Sequence, residues 1–222
     1  MRARRKKWTD RELNENARVI LFPPERGGLN KFFLNENPLH VELGCGKGRF
    51  VVLNAIRNPE INFVAVEREP SILASAARYA AERENETDSK LNNLLLVKSD
   101  ASELESIFDD GGIRRLYINF CDPWPNKKKW AKRRLTHTTF LQIYERLAIP
   151  EIFFKTDNRL LFEFSIESLS ARGWRMEKVS LDLHADGMPG DGLMTEYEEK
   201  FVNSGQPIYR LEAYRVIQPT PE

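Results

Sequence analysis

From His40 onward, apolar runs of strand length alternate with stretches whose apolar residues repeat at helical spacing. That alternation restricts the chain to βαβ units, whose strands share one largely parallel sheet with helices on both faces. Strands are expected over residues 39–43, 62–66, 94–98, 116–120 and 152–155. Between them, residues 49–57 form a helix that ends before Pro59. A second helix opens with Pro70 at its first position and repeats Ile72, Leu73, Ala76, Ala77 and Ala80 along one face. Phe140, Ile143, Tyr144 and Leu147 fall at i, i+3, i+4 and i+7, and Phe162, Ile166 and Leu169 repeat at i, i+4 and i+7 before Gly173. Residues 174–183 and 208–214 read as two strands closing the sheet. The expected fold is α/β and Rossmann-like, a mostly parallel sheet of about seven strands.

The length, 222 residues, suits one domain with a full core. Residues 1–38 are polar, hold Pro23-Pro24 and Gly27-Gly28, and show no long apolar period. They read as a basic, partly disordered N-terminal arm with at most a short helix around residues 13–20, and residues 39–217 read as the domain. Lysine and arginine (34) nearly balance aspartate and glutamate (33), so affinity for a polyanion depends on where the cations lie. Arg2, Arg4, Arg5, Lys6 and Lys7 crowd the start, and a second cluster lies in the centre of the chain. Asp10, Glu12 and Glu15 interrupt the basic start and no apolar stretch follows it, which argues against a targeting peptide. No apolar window approaches the roughly twenty residues of a spanning helix. A soluble, cytoplasmic protein with no membrane partner is expected. Cys45 and Cys121 are too few for a disulfide framework and lack zinc-ligand spacing, and His40, His137 and His184 are scattered, so neither a metal site nor a triad is expected.

The first expected strand ends in Glu42-Leu-Gly-Cys-Gly-Lys-Gly and runs into a helix. In a doubly wound sheet this is where backbone approaches a nucleotide-like ligand, and Gly44, Gly46 and Gly48 permit the approach. The spacing is not the G-x-G-x-x-G of dinucleotide binding, and Glu42 would repel a pyrophosphate while suiting a cation. S-adenosylmethionine carries an ammonium and a sulfonium and has no phosphate. Glu67 at the next strand end is placed either to accept from ribose hydroxyls or to cap a helix. Asp100, after the third strand, is placed to reach an adenine amino group.

Asn119-Phe-Cys-Asp-Pro-Trp-Pro follows the fourth strand, so Asp122 faces the same crevice as Glu42. Lys127, Lys128, Lys129, Lys132, Arg133 and Arg134 then form a rim suited to phosphates, which they contact without reading sequence. Trp124 reads either as a stacking platform for a base or as a packing anchor, and Trp130 likewise. In Thr195-Glu-Tyr-Glu, Thr-x-x-Glu is a capping box that would start a helix over residues 195–204 with no further role.

Together with Phe154-Lys-Thr-Asp, Thr195-Glu-Tyr-Glu-Glu-Lys-Phe and Pro207-Ile-Tyr-Arg, these motifs resemble those of the bacterial tRNA (guanine-N7-)-methyltransferases over most of the chain. The resemblance implies a class I methyltransferase fold and transfer of a methyl group from S-adenosylmethionine to N7 of a guanine in the tRNA variable loop. It implies cofactor contacts from Glu42, Glu67, Asp100, Asn119 and Asp122. It further implies that Asp157, Thr195, Glu196, Tyr197 and Glu198 meet the substrate guanosine. The family commonly shows Asp-Pro-Trp-Pro-Lys-Lys, whereas Asn126 is inserted here, so Lys127 is assigned the position of the substrate lysine. Guanine N7 already holds a lone pair, so the transfer requires no general base. Asp122 is expected to act at the reacting centre, orienting the guanine and stabilising its incipient positive charge.

Overall fold

The computed structural model describes residues 8–87, 90–124, 132–187 and 193–215. In chain order these form α1 (Thr9–Glu15), β1 (Val19–Ile20), β2 (Leu39–Leu43), α2 (Arg49–Arg57), β3 (Asn62–Glu67), α3 (Pro70–Thr87) and β4 (Leu94–Lys98). There follow α4 (Leu104–Ile107), β5 (Arg115–Asn119), α5 (Thr138–Arg146), β6 (Glu151–Thr156), α6 (Arg159–Ala171), β7 (Trp174–Ser180), α7 (Glu196–Asn203) and β8 (Tyr209–Arg215). Among the described residues the strands build one eight-stranded sheet in the order β1-β4-β3-β2-β5-β6-β8-β7. Neighbours from β1 to β6 pair in parallel, and β8 runs antiparallel to both β6 and β7.

All seven strands expected from the pattern are present. The eighth, β1, has only two residues, too few for an alternation to show; it takes the open edge of β4, with Val19 opposite Leu96 and Ile20 opposite Val97. The short helix expected around residues 13–20 therefore lies earlier, over Thr9–Glu15, because the sheet edge claims Val19 and Ile20. Leu13 of α1 packs into the core, the Asn16 amide donates to the Ala77 carbonyl of α3 at 3.4 Å, and Leu29 and Phe33 are buried. Part of the segment read as an arm thus belongs to the domain. The cationic tip, Arg2 to Lys7, lies outside the described residues.

Period-2 alternation sends successive strand residues to opposite faces. Val41 and Leu43 of β2, Val64 and Val66 of β3, Leu116 and Ile118 of β5, and Ile152 and Phe154 of β6 share one core with residues of α4, α5 and α6. Phe63 and Ala65 of β3, Leu94 and Leu96 of β4, and Tyr117 of β5 share the other with residues of α1, α2 and α3. Toward β6 and β8 the second face turns polar: the Arg115 guanidinium lies 3.9 Å from the Phe153 ring centroid, and the fully buried Glu212 is bonded to Lys178, Arg210 and Tyr214. His40 is buried on this face with Tyr117 Oη 3.3 Å from its Nδ1, and burial, aided by Arg115 and Arg114, pushes its pKa down to about 3.

Strand direction decides what gathers at the site. β2 to β6 all run the same way, so their following loops emerge at one edge. β7 is antiparallel to β8, which is antiparallel to β6, so β7 ends and β8 begins at that same edge, where Tyr209 lies opposite Thr156. The described parts of the connection between them, α7 included, are therefore delivered to the carboxyl edge of the parallel strands.

Candidate active site

The chain winds outward from β2 through β3 to β4, then returns to place β5 on the other side of β2. The crevice at such a reversal is where doubly wound sheets take ligands. Glu42 ends on one side of it and Asn119 on the other, and Asn119 Nδ2 donates to Glu42 Oε1 at 2.9 Å with both residues buried. The glycine loop folds over β3, where the Gly44 N–H donates to the Val66 carbonyl at 2.8 Å. Gly44 and Gly46 take positive φ, +70° and +57°, and a Cβ at either would meet no atom within 4 Å, so the loop backbone stands open to a ligand. Gly48 differs. Its φ is +81° and a Cβ there would lie 2.8 Å from Ala76 Cβ, so its role is to bring α2 close to α3.

The first turn of α7 closes the cleft from the opposite side. Thr195, Glu196 and Tyr197 line it together with Glu42, the glycine loop, Phe50, Asn119 and Phe120. Thr195 caps the helix, its Oγ1 accepting from the Glu198 N–H at 3.0 Å. The Glu198 side chain takes other partners: Oε2 lies 3.4 Å from Lys155 Nζ and Oε1 lies 3.1 Å from His184 Nε2. Two further ion pairs span the cleft, Lys47 with Glu196 at 2.9 Å and Arg49 with Glu199.

The structure thus brings Glu42, Gly44, Gly46, Asn119, Thr195, Glu196 and Tyr197 to one cleft. Glu67 is buried at the end of β3 and accepts from the Glu69 N–H at 2.9 Å, with the backbone N–H groups of Gly46 and Arg68 also facing its carboxylate. Burial raises its pKa, and those N–H groups oppose the shift. Asp100 caps the turn after β4, accepting from Ser102 N at 3.0 Å within a capping box shared with Glu103. Asp157 is half-buried in the turn after β6. Asp122 is exposed on the turn after β5, beyond Phe120, whose φ of +51° redirects the chain there. Cys45 and Cys121 are free thiols. Burial pushes Cys45 well up, helped by Glu42 and Glu67, and raises Cys121 to about 12, so neither ionises near neutral pH.

The basic loop divides. Lys127, Lys128 and Lys129, with Asn126 and Trp130, lie outside the described residues. Lys132 and Arg133 are exposed, and the Arg133 guanidinium covers the half-buried Trp124 ring at 4.8 Å. Arg134, expected on the phosphate-facing rim, is instead 4% exposed. Its guanidinium donates to the carbonyls of Pro123 at 2.8 Å and Trp124 at 2.9 Å and packs over the Phe164 ring. The two backbone carbonyls hold the buried guanidinium and account for this position. Sequence reasoning also missed Lys155 and His184. A charged residue closing the apolar run Ile152-Phe-Phe was the available signal for Lys155; His184 had none, because its partner is set by the β7–α7 connection.

Solved structures similar to this chain in fold include methyltransferases. The 16S rRNA methyltransferase KamB matches with a TM-score of 0.62 at 15% identity, covering 92% of this chain and 98% of that one. The 16S rRNA (adenine(1408)-N(1))-methyltransferase from Catenulisporales acidiphilia matches with a TM-score of 0.59 at 18% identity, covering 90% and 97%. At these identities the likeness is one of fold, and the fold is that of the class I methyltransferases. In sequence, the Methyltransf_4 methyltransferase family matches residues 36–211. The tRNA (guanine-N(7)-)-methyltransferases of Lysinibacillus sphaericus and Bacillus subtilis are 45% and 44% identical, each over 96% of this chain and 97% and 98% of their own. That of Listeria monocytogenes is 47% identical over 96% of this chain and 98% of its own. The chain belongs to the bacterial tRNA (guanine-N7-)-methyltransferase family.

Proposed function

We propose that the protein transfers the methyl group of S-adenosylmethionine to N7 of a guanine in the tRNA variable loop. The observation that carries this reading is the cleft between Glu42–Asn119 and the first turn of α7, which joins a cation-accepting wall to a second wall free to meet a base. The residues present fit the cofactor. A buried carboxylate suits an ammonium- and sulfonium-bearing ligand, the open backbone at Gly44 and Gly46 admits it, and the loop's own cations, Lys47 and Arg49, are matched by acids of α7. Glu42, Glu67, Asp100 and Asn119 would hold it.

When bound, the cofactor supplies an electrophilic methyl group to a nucleophile that already carries its lone pair. No residue has to remove a proton, so the protein's part is to orient the base and exclude water. Asp122, exposed on the turn after β5, accepts from the guanine edge and stabilises the positive charge that develops on it. Tyr197, 57% exposed, offers a ring face to the base, and Asp157 with Thr195 supplies polar contacts. Lys127, Lys128, Lys129, Lys132 and Arg133 meet the tRNA backbone, with Lys127 nearest the guanosine. Among the described residues no helix is long and apolar enough to cross a membrane; with tRNA as substrate, the cytoplasm is the expected place of action.

Incubating bulk tRNA with the protein and labelled cofactor, then mapping labelled bases, tests this reading. Label confined to N7 of a variable-loop guanine is expected; label at another base, or in no tRNA, would overturn it.

A further inference from the structure

Lys155 and Glu198 form an ion pair within the protein. Lys155 lies near the end of β6, directly opposite Asn119 in register, and Glu198 lies in the first turn of α7. Their side chains are 8% and 1% exposed, with Nζ and Oε2 3.4 Å apart. The other carboxylate oxygen meets His184 Nε2 at 3.1 Å, and the Lys155 ammonium stands 5.7 Å from the Phe50 ring centroid. Glu198 therefore joins α7, β6 and the connection after β7, just where Thr195, Glu196 and Tyr197 turn toward the cleft. Burial removes it from the reach of a substrate in that cleft.

A buried ion pair contributes little net stability, since desolvating both charges offsets their attraction, but losing one partner strands the other. What such a pair supplies here is geometry. An exposed capping box would fix where α7 begins; a carboxylate held by two side chains from different elements, Lys155 and His184, also fixes how far its first turn stands from the ends of β5 and β6. We propose that Lys155 and Glu198 are positioning residues, which hold the first turn of α7 over the shared cleft so that Thr195 and Tyr197 meet the guanosine, without touching it themselves. This rests on the reading that the α7 turn forms the substrate wall.

The test uses the full-length protein and tRNA, with Lys155→Met, Glu198→Gln, the double variant Lys155→Met/Glu198→Leu, Lys155→Arg and Tyr197→Ala. Displacing a substrate-binding wall by about 1 Å costs up to about a hundredfold in rate. Lys155→Met and Glu198→Gln are expected to lower kcat/KM for tRNA by about ten- to a hundredfold, with cofactor Kd and the salt dependence of tRNA binding unchanged. The double variant, free of a stranded charge, should regain melting temperature without regaining kcat/KM, and Lys155→Arg should restore part of the activity. If activity returns with melting temperature in the double variant, the pair is merely structural and the proposal fails. It fails also if Glu198→Gln alone is impaired, because Glu198 then acts on substrate directly. Normal kcat/KM in Lys155→Met beside an impaired Tyr197→Ala overturns the positioning role only; normal kcat/KM in Tyr197→Ala overturns the reading of α7 as substrate wall.

Discussion

Glu42 and Asn119 are 77 residues apart in the chain and share a buried 2.9 Å hydrogen bond across the point where the sheet reverses its winding. The amide fixes one carboxylate oxygen, so the charge is presented to the cleft in a set direction. Glu42→Gln keeps the shape and removes the charge. It should raise the cofactor Kd at least about tenfold, or ~1.4 kcal/mol, by calorimetry, with the fold retained by circular dichroism. An unchanged Kd would show that the charge plays no part in binding.

Asp122 is exposed on the turn after β5, outside the residues that line the cleft, and we assign it to the bound substrate. Replacing it with alanine should leave melting temperature and tRNA affinity near normal and reduce single-turnover methyl transfer by about 10²- to 10³-fold. Near-normal turnover would remove it from the reacting centre.

Lys132 and Arg133 are exposed whereas Arg134 is committed to two carbonyls. Alanine at Lys132 or Arg133 should flatten the salt dependence of tRNA binding, by about one unit of slope for each phosphate that the variant no longer neutralises. Arg134→Ala should leave the slope alone and destabilise the protein by about 1–3 kcal/mol, because the carbonyls of Pro123 and Trp124 are left without their donor. Denaturant titration beside filter binding at several salt concentrations separates the two behaviours.

His40 has its pKa lowered from 6.5 to about 3, first by burial and then by Arg115 and Arg114. The unfolded chain binds a proton there near pH 6 and the folded protein does not. Stability contributed by neutral His40 is therefore full above about pH 6.5 and is lost as pH falls toward 3, by at most about 1.4 kcal/mol for each pH unit. The difference in unfolding free energy between the protein and His40→Gln should carry that slope between those limits. A difference independent of pH would mean His40 titrates in the fold as it does in the unfolded chain.

Gly48→Ala should destabilise the protein by about 1–3 kcal/mol, since the added methyl meets Ala76 Cβ at 2.8 Å and φ is +81°. Gly46→Ala has open space and should act mainly on cofactor affinity. Equal losses of stability in the two variants would contradict this division, which paired thermal melts and cofactor titrations resolve.

The sequence alone determined the fold class, because apolar periods of two and 3.6 write strands and helices locally: residues 39–43, 94–98 and 49–57 have the limits expected of them. It also marked Glu42 and the glycine loop, since a carboxylate and three glycines at a strand end have few other uses. It could not mark β1, whose two residues carry no period, nor the inward turn of Arg134, whose partners are backbone carbonyls ten and eleven residues earlier in the chain. Which partners the Glu198 carboxylate takes beyond its capping-box pattern depended on what stood beside it, and that is Lys155 from β6 and His184 from the β7–α7 connection. Tertiary structure decided this through the antiparallel course of β8, which returns α7 to the edge where the parallel strands end. Side-chain pairing between elements far apart in the chain is fixed by strand order and direction, and no local pattern of residues records either.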